Sequence, residues 1–455
     1  MMRRIELARG RRLEENDVAR TGGIDAEVLG VASRIVDDVR ERGDEALREL
    51  TEQFDRVVVG DLAVTEDEIT SALDEVTEEF KEAIATAAIA IEEFHRRQIP
   101  QSWFTTDEGG IFLGQKVTPI RRVGIYVPGG RACYPSSVLM NAIPAIVAGV
   151  EEIAMVVPPG PDGLVNPHVL AAAFEAGVTE IYKVGGAQAI AALAYGTESI
   201  PRVDKITGPG NAYVTAAKKL VMGECGIDML AGPSEVLVLA DETAEPGFVA
   251  IDLMAQAEHD PRAATYLVTT DPTLADDVEA ALEDLLTDAP RAEVIRRSLI
   301  DNGVIVLCPD LDVAIDAANL IAPEHLEVMV ADPFELLGAI RNAGAIFLGP
   351  WTPESVGDYI AGPNHVLPTG GTARFSSPLS VDDFVKKSSV LSYSLEALAV
   401  DGPTVMTIAE AEGLDAHAAA VGLRLALAFD ETDRLDDDCG CDGDCGCGCG
   451  NTEES

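Results

Sequence analysis

The sequence predicts an α/β protein with two Rossmann-like, doubly wound parallel-sheet domains and small helical segments at the N and C termini. From about Val117 onward, short runs rich in β-branched residues alternate with helical segments, which is typical of a parallel sheet covered by helices on both faces. The runs are too many for one open sheet, so two sheets are expected. The predicted strands are Val123–Val127, Glu152–Val157, Glu180–Val184, Val203–Ile206, Val236–Leu239, Thr265–Val268, Val304–Leu307, Leu326–Val330 and Ala345–Leu348.

The residue pattern changes along the chain and divides it into five segments. The first is charged and helical, and its clearest helix begins at Thr65, where Thr65 and Glu68 have the spacing of a capping box. An apolar stripe from Ile69 to Phe94 recurs at steps of three or four residues and predicts one long helix. The predicted segments are an N-terminal helical region (1–116), a first Rossmann-like domain (117–232), a second Rossmann-like domain (233–376), a C-terminal helical segment (377–433) and a disordered, acidic, Cys-rich tail (434–455).

Composition and charge limit the function classes. The chain has 455 residues, of which 47% are hydrophobic, so it has ample material for more than one core. Its 78 acidic residues against 33 Lys and Arg give a net charge of −45. Such a surface repels nucleic acids and anionic membranes, so neither is an expected partner. The imbalance is typical of a halophilic protein that works in high salt, and an ordinary acidic enzyme is the alternative.

The expected location is the cytoplasm. The N terminus has no apolar run of signal-peptide length, and the most apolar stretch (138–159) is interrupted by a proline and two glutamates, so it cannot span a bilayer. Only three cysteines lie outside the tail, which is too few for a disulfide framework and favours a reducing compartment.

Gly-rich turns follow three strands of the first predicted domain. Each turn has a hydrogen-bonding side chain beside it, namely Tyr126, Gln188 and Asn211. None of the turns has the G-x-G-x-x-G spacing of the usual dinucleotide fingerprint, and any one of them could be only a tight turn. Because ligands of open α/β sheets bind beyond the carboxyl ends of strands, three such turns favour a nucleotide or another phosphate-bearing ligand.

The segment AQAEHD (255–260) places two polar side chains three residues apart. If the segment is helical, as we expect, Gln256 and His259 share one helix face and both could hold one metal ion or one substrate. A buried polar pair on a helix is the alternative.

The segment IAPEHLE (321–327) sets Glu324 directly beside His325, which offers two general bases of different strength. Adjacent residues on a strand point to opposite faces, so both serve one site only if Pro323 holds them in a loop before the strand. An N-capping Glu beside a buried His is the alternative.

Eight motifs in this order resemble the histidinol dehydrogenase family. They extend from about residue 120 to 420 and are YVPGG, GGAQAI, TGPGNAYV, AGPSE, AQAEHD, PEHLE, GDYIAGPNHVLPT and the segment from Gly413 to His417. The resemblance implies oxidation of L-histidinol through L-histidinaldehyde to L-histidine, the last two steps of histidine biosynthesis, with two NAD reduced and one zinc ion per site. It also implies a homodimer, with NAD on the first Rossmann-like domain, zinc on the second, and C-terminal helices that reach the partner subunit.

The resemblance also implies roles for individual residues. His325 would take the hydroxyl proton of the alcohol, and Glu324 would activate the water that adds to the aldehyde. The zinc ligands would be Gln256, His259, Asp358 and His417, with His417 and the substrate contact Glu412 supplied by the partner subunit. The substrate contacts would be Ser234, Gln256, His259, His325, Asp358, Glu412 and His417, and the NAD contacts Tyr126, Gln188 and Asn211.

Other features stay outside this scheme. His365 is expected to line the site without an assigned role, whereas His95 and His168 are expected to be structural or on the surface. The cysteines between Cys439 and Cys449 follow mainly a C-x-C spacing, which leaves a disordered acidic tail or a soft-metal store open. Two other functions also stay open: a zinc hydrolase that uses Glu324 as its base, and a metal-storage protein built on this tail.

Overall fold

A computed structural model describes residues 2–18, 23–129 and 133–437 of the chain, with side chains up to residue 428. The chain forms two compact units. Unit 1 comprises Met1–Ile99 and Pro119–Lys386 and contains two parallel sheets, and unit 2 comprises Pro100–Thr118 and Lys387–Ser455. The cysteine tail that the sequence analysis singled out (439–449) lies outside the described residues.

The strands and helices of the described residues follow in chain order. The strands are β1 (Arg3–Glu6), β2 (Trp103–Thr106), β3 (Ile111–Pro119), β4 (Arg122–Tyr126), β5 (Glu152–Val157), β6 (Glu180–Lys183), β7 (Lys205–Thr207), β8 (Gly226–Ile227), β9 (Glu235–Ala240), β10 (Ala264–Thr269), β11 (Val304–Leu307), β12 (His325–Met329), β13 (Ala345–Leu348) and β14 (Val385–Tyr393). The helices are α1 (Ala26–Arg42), α2 (Asp44–Asp55), α3 (Glu66–Glu75), α4 (Glu78–Arg96), α5 (Pro135–Ala148), α6 (Pro167–Glu175), α7 (Gly186–Tyr195), α8 (Ala212–Val221), α9 (Pro246–Ala257), α10 (Pro272–Leu285), α11 (Ala292–Asn302), α12 (Leu311–Ile321), α13 (Pro333–Leu336), α14 (Glu354–Tyr359), α15 (Leu395–Ala411) and α16 (Asp415–Asp437).

The first sheet of unit 1 has the strand order β6-β5-β4-β7-β8, and its strands are parallel. Its central strands are continuous apolar runs because both faces are covered. Helices α1, α7 and α8 share one apolar core with one face, and α3 to α6 share a second core with the other. The chain order within the sheet is therefore 3-2-1-4-5, and the strand order reverses between β4 and β7.

The second sheet repeats this arrangement. Its order is β1-β11-β10-β9-β12-β13, all parallel, so the order reverses between β9 and β12. The α/β class with two doubly wound sheets is thus confirmed, and all nine predicted strands are present. The exact domain boundaries stay a prediction.

Three features of the terminal segments differ from the prediction. The N-terminal region begins with strand β1, which pairs with β11 at the sheet edge; its sequence, RRIE, is mostly exposed and carries no apolar strand signal. The predicted long helix is two helices, because Val76 adopts an extended backbone and Thr77 caps α4; the capping box of Thr65 and Glu68 is confirmed. Strand β2 and most of β3 lie within the N-terminal region predicted to be helical, and β14 lies within the C-terminal segment predicted to be helical.

Unit 2 contains the sheet β14-β3-β2 and the helices α15 and α16, which pack against each other. Helix α16 continues to Asp437, three residues beyond the predicted start of the disordered tail at 434. Among the described helices, none combines the length and the apolar character that a membrane crossing requires.

The carboxyl ends of β4 and β7 approach each other very closely at Gly208. Its φ is +115°, and a Cβ built at this position would lie 2.1 Å from the carbonyl oxygen of Tyr126. Only glycine satisfies both the backbone angle and the contact. The Gly-rich turn after β7 is therefore required by the packing of the sheet itself.

We expect the substitution Gly208→Ala to destabilise the protein more than Gly177→Ala does. Gly177 has a φ of +76° and open space around its Cβ position, so alanine there should cost roughly 1–2 kcal/mol of unfolding free energy from the left-handed backbone alone. At Gly208 the contact with Tyr126 should add about 1–3 kcal/mol. Denaturant unfolding of both variants measures the difference, and equal losses would contradict the steric argument.

Candidate active site

Polar side chains meet at the amino ends of the neighbouring strands β9 and β12. His325 is the first residue of β12 and Glu324 precedes it, while β9 begins at Glu235 and follows Ser234. The backbone N–H of Glu235 donates to Oε2 of Glu324 (2.8 Å), and Nδ1 of His325 donates to the carbonyl oxygen of Glu235 (3.1 Å). One residue of β9 therefore holds both side chains of the predicted catalytic pair.

Glu324 and His325 converge although they are adjacent in sequence. The backbone of Pro323 and Glu324 is bound by the N–H groups of Gly344 and Ala345 just before β12 begins, so Glu324 stands outside the strand. Its Oε2 lies 3.8 Å from Nδ1 of His325. The prediction that both residues lie in a loop next to Pro323 therefore holds for Glu324, whereas His325 is the first residue of β12.

The hydrogen bond to Glu235 determines which nitrogen of His325 is available for chemistry. A carbonyl oxygen only accepts, so Nδ1 carries the hydrogen and Nε2 is the nitrogen that can take a proton. The residue is only 5% exposed, and within the described residues its Nε2 makes no hydrogen bond. A buried polar atom of this kind normally has a ligand or a water molecule as its partner.

Helix α14 brings two more carboxylates to this histidine. Glu354 and Asp358 lie one helical turn apart; Oε2 of Glu354 is 3.8 Å from Nδ1 of His325, and Oδ1 of Asp358 is 3.7 Å from Nε2. Burial disfavours the cationic imidazole, but the charges of Glu354, Glu324 and Asp358 outweigh this and raise the pKa of His325 well above its usual value. Burial also disfavours ionised Asp358, but the nearby His325 outweighs it and lowers the pKa of Asp358.

Helix α9 delivers Gln256 and His259 to the same region, although not both from the helix as expected. The helix ends at Ala257, and His259 lies in the turn that follows, where its N–H donates to the carbonyl oxygen of Gln256 (3.3 Å). The orientation of the Gln256 amide is assigned from its neighbours: its nitrogen donates to both oxygens of Glu354 (3.0 and 3.1 Å). The amide oxygen of Gln256 is therefore the atom available to a ligand.

These residues provide a set of donors suited to a metal ion. His259 is exposed in the single chain, yet partial burial lowers its pKa and favours neutral imidazole, while Asp358 is ionised. His259 and Asp358 are close enough to shift each other's pKa. An amide oxygen, a neutral imidazole and a carboxylate fit zinc. Among the described residues of this one chain, no three or more His, Cys, Asp or Glu side chains are grouped so that they could hold a metal ion.

The two residues expected from a partner subunit lie in unit 2. Glu412 caps the end of α15, and His417 lies in the first turn of α16. Both side chains are exposed, and among the described residues neither makes a hydrogen bond within the chain. They are therefore accessible to another molecule.

His365 bridges the two halves of unit 1. Its Nδ1 donates to the carbonyl oxygen of Asp358 (3.1 Å), and its Nε2 lies 3.4 Å from Oγ of Ser137 in the first turn of α5. Burial lowers the pKa of His365 and keeps it neutral. His95, by contrast, is fully buried and bonded to the carbonyl oxygen of Ile91, so it is structural.

The three residues predicted to contact NAD lie at the carboxyl edge of the first sheet. The hydroxyl of Tyr126, the last residue of β4, accepts from the N–H of Gly186 (3.1 Å), and burial raises the pKa of Tyr126 to about 12. Gln188 is buried in the first turn of α7, and Asn211 caps α8. Tyr126 and Asn211 therefore also support turns at the carboxyl edge of this sheet, which is where open α/β sheets bind ligands.

Sequence reasoning missed three buried carboxylates behind the site. Oε1 of Glu327 accepts from the N–H of Glu354 (2.7 Å), and Asp252 hydrogen-bonds Glu327. Burial is the main cause that raises the pKa of Glu327 to about 9, of Glu354 to about 7 and of Asp252 to about 6. Spacing was the available signal: Asp252 is four residues from Gln256, and Glu327 is two residues from His325.

Comparison with known proteins shows the family to which the chain belongs. The family profile described as histidinol dehydrogenase matches residues 19–425. The chain belongs to the histidinol dehydrogenase family. It is 57% identical to the histidinol dehydrogenase of Syntrophotalea carbinolica over 86% of this chain and 91% of that protein, and 56% identical to that of Geobacter sulfurreducens over 88% and 94%.

A solved structure supports the same assignment. The crystal structure of histidinol dehydrogenase from Elizabethkingia anophelis has a TM-score of 0.89, 38% sequence identity, and covers 94% of this chain and 99% of that one. Membership in this family makes the chain an oxidoreductase. The hydrolase and metal-storage alternatives therefore find no support.

We expect the substitution Glu327→Gln to stabilise the protein at alkaline pH. Between the ordinary value of 4.5 and about 9, folded Glu327 keeps a proton that the unfolded chain has lost, so rising pH favours unfolding. Glutamine never ionises, can still accept from Glu354 and can donate to Asp252. The free energy of unfolding at pH 8 should rise by on the order of 2 kcal/mol, with little change at pH 5.

Denaturant unfolding at both pH values measures this effect. The exposed Glu335→Gln is the matched control and should be unaffected at either pH. A Glu327→Gln variant that loses stability at pH 8 would show that the ionised carboxylate supports the fold.

Proposed function

We propose that the chain oxidises L-histidinol through L-histidinaldehyde to L-histidine and passes a hydride to NAD in each step. The observation that carries this proposal is the buried Nε2 of His325, which has a fixed tautomer and no hydrogen-bond partner among the described residues. Its neighbour Glu324 supplies a second base. Two oxidations of one carbon require two different proton transfers, and this pair offers both.

In the first step His325 takes the hydroxyl proton of the alcohol through Nε2. As the proton leaves the oxygen, the carbinol C–H bond breaks, its electron pair leaves as hydride to the nicotinamide, and the C=O bond of the aldehyde forms. A metal ion held by Asp358 would offset part of the negative charge that raises the pKa of His325, so the imidazole would be neutral before this step. The carboxylates of Glu354 and Glu324 then stabilise the imidazolium that forms.

In the second step Glu324 takes a proton from the water that adds to the aldehyde. Burial, which is only partly offset by His325, raises the pKa of Glu324 to about 8, so this carboxyl can gain and lose a proton near neutral pH. The gem-diol then loses a hydroxyl proton and a hydride and becomes a carboxylic acid, which releases a second proton to give the carboxylate of L-histidine. A second NAD accepts this hydride.

Gln256, His259 and Asp358 would hold the zinc ion, with His417 of a second copy as the fourth ligand. Bound there, zinc would anchor and orient the nitrogen atoms of the substrate. Glu354 fixes the amide of Gln256 so that its oxygen faces the ligand. The carboxylate of Glu412, also from the second copy, suits the ammonium group of the substrate, and Ser234 lies beside Glu235 at the same strand end.

NAD would bind at the carboxyl edge of the first sheet, between β4 and β7. The 3-2-1-4-5 order of this sheet and the position of Tyr126, Gln188 and Asn211 at that edge support this assignment. The Gly-rich turns at this edge are suited to a phosphate group of the dinucleotide.

A homodimer with shared sites is also part of the proposal. Unit 2 exposes many large apolar side chains, and an apolar surface of this extent normally meets another chain. Examples are Trp103, Leu391, Val400, Ile408, Leu423 and Leu427. Glu412 and His417 lie in this same unit and are exposed.

The free state of Cys133, Cys225 and Cys308 supports a reducing cytoplasm, and the net charge of −45 supports a cell of high internal salt.

We expect two NADH for each L-histidine formed when L-histidinol and NAD are supplied at high salt. Absorbance of NADH and quantified histidine give this ratio. A chelator should lower the rate, and added zinc should restore it, because the metal orients the substrate. An absence of NADH at every salt concentration would contradict the proposed oxidation.

Mixing a His417→Ala chain with a Glu324→Ala chain should restore activity. If sites are shared, a mixed dimer has one intact and one doubly altered site, so random exchange should recover about a quarter of the unmodified activity. Each variant alone should be nearly inactive, and the rate is followed as subunits exchange. Failure to recover activity despite exchange, verified with differently tagged chains, would place each complete site within one chain.

A further inference from the structure

A buried ion pair anchors the turn that follows β7. Lys218 on α8 and Asp228 after β8 form this pair, and their side chains are 3% and 1% exposed. Lys218 Nζ donates to Asp228 Oδ1 and to the carbonyl oxygen of Gly208 (2.8 Å). Asp228 Oδ2 accepts from the N–H of Gly208 (2.8 Å). Both backbone groups of Gly208 are thus bound by one lysine and one aspartate.

The turn between Thr207 and Asn211 depends on this pair for its conformation. Pro209 has no N–H, and among the described residues neither Gly208 nor Gly210 forms a backbone-to-backbone hydrogen bond in this turn. Asp228 is itself held, because its N–H donates to the carbonyl oxygen of Ile206 (3.2 Å) and its Oδ1 accepts from the N–H of Met229 (2.6 Å).

The stability of the fold does not by itself explain why a buried lysine and a buried aspartate occupy these positions. A buried ion pair contributes little net stability, and apolar side chains of similar volume often do as well. What an apolar pair cannot do is bind the N–H and the C=O of one peptide segment at the same time. The pair is therefore suited to fix the orientation of the backbone N–H and C=O groups of Gly208.

We propose that Lys218 and Asp228 are positioning residues for NAD, which hold the turn from Thr207 to Asn211 in its cofactor-binding conformation. This inference rests on the proposed function, in which Tyr126 and Asn211 contact NAD. Gly208 lies against the carbonyl oxygen of Tyr126, so a shift of its peptide moves the turn relative to both contacts. The charged groups of Lys218 and Asp228 are directed at each other and at Gly208, so the pair acts through the turn.

The test compares NAD binding by full-length, zinc-loaded variants at one salt concentration. Lys218→Met keeps the length of the side chain but removes the donor, and it should raise the Kd for NAD about tenfold or more. Lys218→Gln keeps a donor for Gly208 and should raise this Kd by a smaller factor. The KM for L-histidinol should change less than twofold in both, because the strand ends that hold Glu324 and His325 are not part of this turn.

Lys205→Met is the matched control. Lys205 is the first residue of the same strand, β7, and its Nζ binds the carbonyl oxygen (2.7 Å) and Oδ1 (3.0 Å) of Asp383 at the opposite end. Its replacement removes a comparable ion pair and should lower Tm without raising the Kd for NAD. If Lys218→Met does not fold, the double variant Lys218→Met/Asp228→Asn leaves no unpaired charge, and the same rise in Kd is expected of it.

The outcomes distinguish a failure of the positioning role from a failure of the proposed function. A Kd for NAD in the folded Lys218 variants that matches the Lys205→Met value would overturn the positioning role and leave the proposed function intact. Equal losses of affinity for NAD and L-histidinol would also overturn it, since they indicate general damage to the fold. If the unaltered protein binds no NAD, both the proposed function and this inference are wrong.

Discussion

The parallel pairing of β9 with β12 is the constraint on which the candidate active site depends. His325 stands opposite Val236 in this pairing, which brings the backbone of Glu235 beside the end of β12. From that position the N–H of Glu235 holds Glu324 and its carbonyl oxygen holds His325. A shift of one residue in register would turn these groups to the other face of the sheet and separate the pair.

The site concentrates carboxyl groups in a buried region, where proteins ordinarily avoid them. Glu324, Glu327 and Glu354 are all buried, and burial raises the pKa of each. Charged carboxylates in such a place are costly unless a proton or a cation compensates them. The cost is consistent with a site built for a cationic ligand and for proton transfer, because such sites keep groups whose protonation changes near neutral pH.

Much of the fold was predictable because its signals are local. All nine predicted strands exist, since a strand buried on both faces must be apolar throughout, and the capping box at Thr65 follows from two side chains three residues apart. Strand β1 was missed because its pairing with β11 joins segments three hundred residues apart. The break at Val76 was missed because an apolar stripe can continue across two helices that share one core.

The sequence by itself determined the α/β class, the motifs of the family, and the residue types available for catalysis and metal binding, because each of these depends on short-range order along the chain. The tertiary structure alone decided which nitrogen of His325 is free, how Glu354 orients Gln256, and how Lys218 and Asp228 bind Gly208. The physical reason is distance along the chain. Each of these contacts depends on strand order and register. Neither the order nor the register of the strands can be inferred from the spacing of residues along the sequence.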